Sequence, residues 1–172
     1  MPFTAADVGE VLVERGWLVA DWTLGTPDAL SAWLKRAVDL LGPHAGDRAS
    51  LADLLALVFH YDAAALLREP ANQAVLAREG SRDVIRELAN RVLDQDNIDS
   101  DRFKEIIDGI KRAVPQKSRE LLHPVRVALA GRVGEGELDR VILLLDPAVH
   151  LRFAVPVKGT RQRMLEFCAA LD

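Results

Sequence analysis

Along almost the whole chain the apolar residues recur three and four positions apart, strand-like alternation is essentially absent, and start and stop signals bracket each periodic run. One fold class meets that pattern, all-α. Thr4 with Asp7 opens a first helix carrying Val8, Val11, Leu12 and Val13, which runs out near Gly16. Thr26 at the cap, Pro27 in the first helical position and the dipole-favoured Asp28 start a second, lasting to Gly42 and Pro43. Ser50 with Asp53 caps a third over LADLLALVFHYD, apolar enough for a central core element. Pro70 starts a fourth that Gly80 ends, Ser81 opens a fifth through Val84, Ile85, Leu88 and Val92, and a sixth covers 101–114 up to Pro115. Shorter helices are expected over 124–130, 136–145 and 147–153, with a last one over 160–171.

The change from long helices to short basic ones at Pro115–Arg119 predicts a helical body over 1–116 and a small helical subdomain over 117–172. A chain of 172 residues can bury a real core without covalent staples. Cys168 is the only cysteine, so neither an intrachain disulfide nor a multi-cysteine zinc site can form, which fits a reducing cytosol and a small buried hydrophobe. There is no basic-then-apolar leader, and no apolar run approaches the roughly 20 residues that span a bilayer. A cytoplasmic protein with no membrane partner is expected.

Known catalytic patterns are missing. No GxSxG, GxxxxGK[ST] or GxGxxG occurs, and Gly131, Gly134 and Gly136 read as a helix stop, a turn and a helix start. His44, His60, His123 and His150 are scattered without an i, i+4 pair, so they are expected as caps and core edges, and neither metal nor cofactor is implied. Asp94, Asp96, Ser100 and Glu105 fit positions of a calcium loop. Ile98 and Asp99 break that template, which leaves a solvated inter-helix loop. Trp17, Trp22 and Trp33 are expected in core and helix-docking roles.

Charge is distributed unevenly. The formal net charge is −4, yet Lys111 to Arg132 holds six basic residues, Lys111, Arg112, Lys117, Arg119, Arg126 and Arg132, against Glu120 alone. A patch aimed at an anion is one reading of this reversal. Within HPVRVALAGR, at 123–132, Pro124 suits a first helical turn, Val125, Val127, Ala128 and Leu129 can anchor it, and Arg126 leaves from the other side. The competing reading pairs Arg126 and Arg132 with acids such as Asp139, or sets them at a helix C-terminus.

LLHPVRVALAGR at 121–132, followed by ELDRVILLL at 137–145, resembles the end of the anticodon-binding region of bacterial glutamyl-tRNA synthetases. Pro124, Arg126, Ala128, Leu129, Gly131, Arg132 and Leu138 match that family's pattern without a gap. SLADLLALVFHYD and DNIDSDRFKEIIDGIKRAV are similar in spacing, so the likeness covers about residues 4–153 and leaves 159–172 without a counterpart. The resemblance implies an all-α cage of two subdomains that reads the anticodon loop of glutamate tRNA. It implies a base- or phosphate-contacting Arg126, a turn from Ala130 to Leu138 against the bases, and phosphate contacts from Lys117, Arg119 and Arg132.

The chain departs from the family where Ala130 replaces threonine and Glu135-Gly136 replaces Gly-Pro, and Glu137 adds a second carboxylate. The family's HIGH and KMSKS signatures do not occur, so this chain is not expected to activate an amino acid by itself. Three roles follow: a free-standing tRNA-binding module, favoured by Met1 and the extra last helix; a helical module that binds a synthetase or another protein; or the C-terminal part of a glutamate-tRNA ligase.

Overall fold

The computed structural model describes residues 2–23, 27–94 and 97–171. All regular structure among them is helical. Helix α1 (Ala5–Glu14) begins with the expected reciprocal cap: Asp7 N–H donates to Thr4 Oγ1 at 3.2 Å and Thr4 N–H to Asp7 Oδ2 at 2.8 Å. Helix α2 (Asp28–Leu41) has Pro27 in its cap position and passes into a short 3-10 turn, Gly42–His44; the expected cap Thr26 lies outside the described residues. Helix α3 (Arg48–Phe59) starts ahead of the expected Ser50 cap, because the Asp47 carboxylate accepts from Ser50 N–H at 2.7 Å.

A one-turn helix, α4 (Ala63–Leu66), was not foreseen and is capped by Asp62. Helices α5 (Pro70–Leu76), α6 (Ser81–Val92) and α7 (Ser100–Ala113) follow close to expectation.

The C-terminal half differs more. Helix α8 (Arg119–Ala130) starts well before Pro124, which lies inside it. Proline has no N–H to return to the Glu120 carbonyl, but Glu120 is exposed and water can take that bond. Helix α9 (Gly136–Val149) runs unbroken through Pro147, where two helices were expected, and 151–157 is not helical. Val141, Leu144, Leu145 and Ala148 are buried along its second half, and that burial outweighs one lost backbone bond. Helix α10 (Thr160–Leu171) ends the chain.

Two apolar cores result. One gathers α1, α2, α3 and the second half of α9; the other gathers α4 to α8, α10 and, from α9, Leu138 and Ile142. Helix α9 therefore joins both cores, packing on α2 and α3 and also on α8. The boundary expected at 116/117 falls within the second core, which holds both Val114 and Leu121.

The tryptophans serve the first core. Trp17 stacks on Phe59 at 4.9 Å between ring centres, Trp33 packs edge-on to Phe59 and Phe153, and Trp33 Nε1 donates to the Leu144 carbonyl at 3.0 Å. Gly9 is required there, since a Cβ would sit 2.3 Å from the Trp22 ring. Cys168 is partly buried against the second core rather than sealed within it.

Two polar groups anchor α10. Buried Asp146 of α9 accepts from Thr160 N–H at 2.8 Å and from Ile98 N–H at 2.7 Å, and Gly159 lets it approach, because a Cβ there would lie 2.8 Å from its Oδ1. Arg163, with no exposed surface, donates to the carbonyls of Lys158, Leu129 and Val58 at 2.8, 3.0 and 2.8 Å. Its guanidinium also covers the Tyr61 ring at 4.7 Å.

Candidate nucleic-acid interface

Arg119, His123 and Arg126 occupy i, i+4 and i+7 on α8, so they share one face. The chain turns back toward that face in a tight glycine turn. Gly131 takes a left-handed φ of 91° and donates to the Arg126 and Val127 carbonyls, and a Cβ on Gly134 would meet Leu138 Cδ1 at 2.5 Å.

Arg126 holds the turn. Its Nε and one Nη grip the two Asp139 oxygens at 2.9 and 3.0 Å, while the other Nη reaches the Gly134 carbonyl at 3.0 Å and Glu135 Oε2 at 3.3 Å. Burial opposes the charge, but the Asp139, Glu135 and Glu137 carboxylates outweigh it and hold the guanidinium pKa above its ordinary value. With 4% of its surface exposed and its fork occupied, Arg126 shapes the turn and does not present itself to solvent.

The other expected contacts divide by exposure. Lys117, Arg119 and Arg132 are exposed. Ala130 and Leu138 have no exposed surface and pack in the second core. Arg119 Nε pairs with Glu135 Oε1 at 3.0 Å, and Arg132 lines a polar cleft with His44, Ser50, Asp53 and Glu137. Asp139 borders a second cleft of about 430 Å³ where Phe103 and Leu122 meet Lys104, Lys111 and Arg140.

Sequence reasoning placed His123 at a core edge and did not see its polar role. Arg78 Nη1 lies 3.1 Å from His123 Nδ1, and a guanidinium only donates, so the neutral ring carries its proton on Nε2. Nε2 is buried, makes no hydrogen bond among the described residues, and stands 3.8 Å from Glu135 Oε2. Burial holds the imidazole below its ordinary pKa; Glu135 works against that shift, and Arg78, Arg126 and Arg119 reinforce it. The i, i+4, i+7 spacing of two arginines and a histidine was the available sign of a shared site. Among the described residues no group of three His, Cys, Asp or Glu side chains is placed to hold a metal ion. Asp96, part of the calcium-loop comparison, lies outside them.

Residues 12–151 match the anticodon binding domain family. The chain belongs to that family. The match spans all of α8, the glycine turn and α9, and ends before α10. Over 134 residues the chain is 29% identical to the glutamate–tRNA ligase of Geobacillus stearothermophilus, covering 78% of this chain and 26% of that ligase. The chain thus spans about a quarter of the length of this curated relative. No solved structure matches it. The all-helical architecture agrees with an anticodon binding domain, and no helix among the described residues is long and apolar enough to cross a membrane.

Proposed function

We propose that this anticodon binding domain binds the anticodon arm of a tRNA, specifically glutamate tRNA, and contributes recognition without chemistry of its own. One observation carries the reading: the family match runs through a turn that Arg126 clamps, while Lys117 and Arg119 at one end of α8 and Arg132 at the other remain exposed. Exposed cations neutralise backbone phosphates, and a preformed turn gives the unpaired bases of a loop a fixed surface to meet. Lys104, Lys111 and Arg140 around the neighbouring cleft extend the basic edge. Arg126 acts in this reading first as a positioning residue, because its Nε and one Nη hold the Asp139 fork, which leaves the Nη shared by Gly134 and Glu135 as the one donor group that can meet a ligand. The role is that of the tRNA-reading part of a synthetase.

A salt titration of binding, with glutamate tRNA and an anticodon-swapped tRNA, tests this. Lys117→Ala or Arg132→Ala should weaken binding to both RNAs alike and reduce the salt slope by about 1. The swap itself should lower affinity if the turn reads bases. Absence of binding at about 50 mM salt would sink the proposal, since phosphate contacts are strongest at low ionic strength.

A further inference from the structure

Three basic side chains of α8 converge on one carboxylate. Glu135 Oε1 is 3.0 Å from Arg119 Nε, and Oε2 is 3.3 Å from Arg126 Nη1 and 3.8 Å from His123 Nε2. Glu135 itself is half exposed, whereas His123 and Arg126 behind it are more than nine-tenths buried. The buried Nε2–H has no hydrogen-bond acceptor among the described residues and stands 3.8 Å from the carboxylate, beyond hydrogen-bond reach. A group with three acceptor oxygens would reach Arg119, His123 and Arg126 together, which a two-oxygen carboxylate on a tethered side chain does not.

We infer that Arg119, His123 and Arg126 form a phosphate subsite that Glu135 fills in the unbound chain, so that an arriving phosphate must displace the Glu135 side chain. The subsite deepens the tRNA reading and rests on it for the source of the phosphate. Glu135 is suited to such a gate. It sits at the end of a glycine turn, it is held on one side by the exposed Arg119, and surface pairs of that kind are weak. Arg126 keeps its Asp139 fork when the carboxylate leaves, so the turn stays in place.

The test uses the whole chain, wild type and Glu135→Gln, with Glu137→Gln as the control. Glu137 carries the same charge in the same turn but accepts only from the Glu135 N–H among the bonds in the turn. The first probe is inorganic phosphate, followed through the His123 ring resonances by NMR. Saturable shifts are expected in Glu135→Gln, absent in wild type and in Glu137→Gln, and lost again when Arg119→Ala is added. The second probe is an RNA hairpin of the glutamate anticodon arm, which Glu135→Gln should bind about fivefold more tightly than wild type does.

Glu135→Ala repeats both arms with the side chain removed, and thermal unfolding confirms that each variant is folded. If Glu135→Gln shows no saturable phosphate shift, the subsite is overturned, even where wild type binds RNA. Equal RNA gains from Glu135→Gln and Glu137→Gln overturn it too, since net charge then explains the gain. A phosphate response with no RNA binding by any variant leaves the subsite standing and removes the tRNA reading.

Discussion

Arg126 and Arg163 are both buried guanidinium groups, and they are satisfied in opposite ways. Arg126 is met by carboxylates, chiefly Asp139 in the first turn of α9 and then Glu135 just before that helix. Among the described residues Arg163 has no carboxylate within hydrogen-bond reach and takes main-chain carbonyls, including Val58 near the end of α3 and Leu129 near the end of α8. Helix C-termini carry unsatisfied carbonyls and partial negative charge, which suits a cation. Burial lowers the Arg163 pKa to about 10, so it stays charged at neutral pH, whereas the carboxylates push Arg126 the other way. A cation held by carbonyls ties separate helices together. A cation held by side-chain acids can be released or exchanged, and so suits a surface that meets a charged partner.

The largest expected effect comes from breaking the carbonyl-held site. Arg163→Ala leaves three carbonyl acceptors without their donor and opens a void under the Tyr61 ring. The cost should be about 3–5 kcal/mol, combining cavity and unsatisfied-acceptor terms. Urea unfolding measures it. A loss below about 1 kcal/mol would mean that α10 is held by its apolar residues and the Asp146 contacts without Arg163, and that the contrast between the two arginines is mistaken.

The next effect separates positioning from contact at Arg126. Asp139→Asn should cost about 1–3 kcal/mol, because a buried guanidinium loses its charged acceptor. If Arg126 positions the turn, Asp139→Asn and Arg126→Ala should weaken RNA binding by similar factors, and the double variant should be little worse than either. A tighter complex with Asp139→Asn would show instead that the Asp139 fork restrains Arg126 from the RNA rather than holding it in place. Filter binding at fixed salt, with unfolding curves beside it, distinguishes these outcomes.

The two sites also differ in how far they could be read from residues alone. Arg126 with Asp139 was one of two open readings, since both ends of that pair are side chains of opposite charge thirteen positions apart across a glycine turn. Arg163 was not foreseen. Its acceptors Leu129 and Val58 are 34 and 105 positions away and are backbone atoms, which leave no mark in composition or spacing. The helices themselves are legible from periodicity and caps, but the prolines at 124 and 147 read as boundaries in the sequence and tertiary burial overrules them. Ala130 and Leu138 show the same limit. The resemblance identified their positions in the family's turn, but only packing revealed that their side chains face the core.

The smallest effect is a pH dependence that should belong to the Arg126 side of the comparison alone. His123 titrates below its ordinary 6.5 in the folded chain, with burial the main cause, Arg78, Arg126 and Arg119 reinforcing it and Glu135 opposing it. The unfolded chain therefore takes up a proton first as the medium is acidified, and stability falls with pH through the region near 6.5 until the folded ring protonates as well. Protonation would also put a hydrogen on Nδ1 facing Arg78, breaking that contact. Urea unfolding between about pH 5 and pH 8 should show a stronger decline on the acid side in wild type than in His123→Gln, the range in which an imidazole titrates. Among the described residues Arg163 has no histidine or carboxylate hydrogen-bonded to it, so in folded variants near that site the wild-type pH slope should persist. Identical slopes in wild type and His123→Gln would mean that the ring is as free to ionise when folded as when unfolded, and that burial beside Arg78 does not hold it neutral.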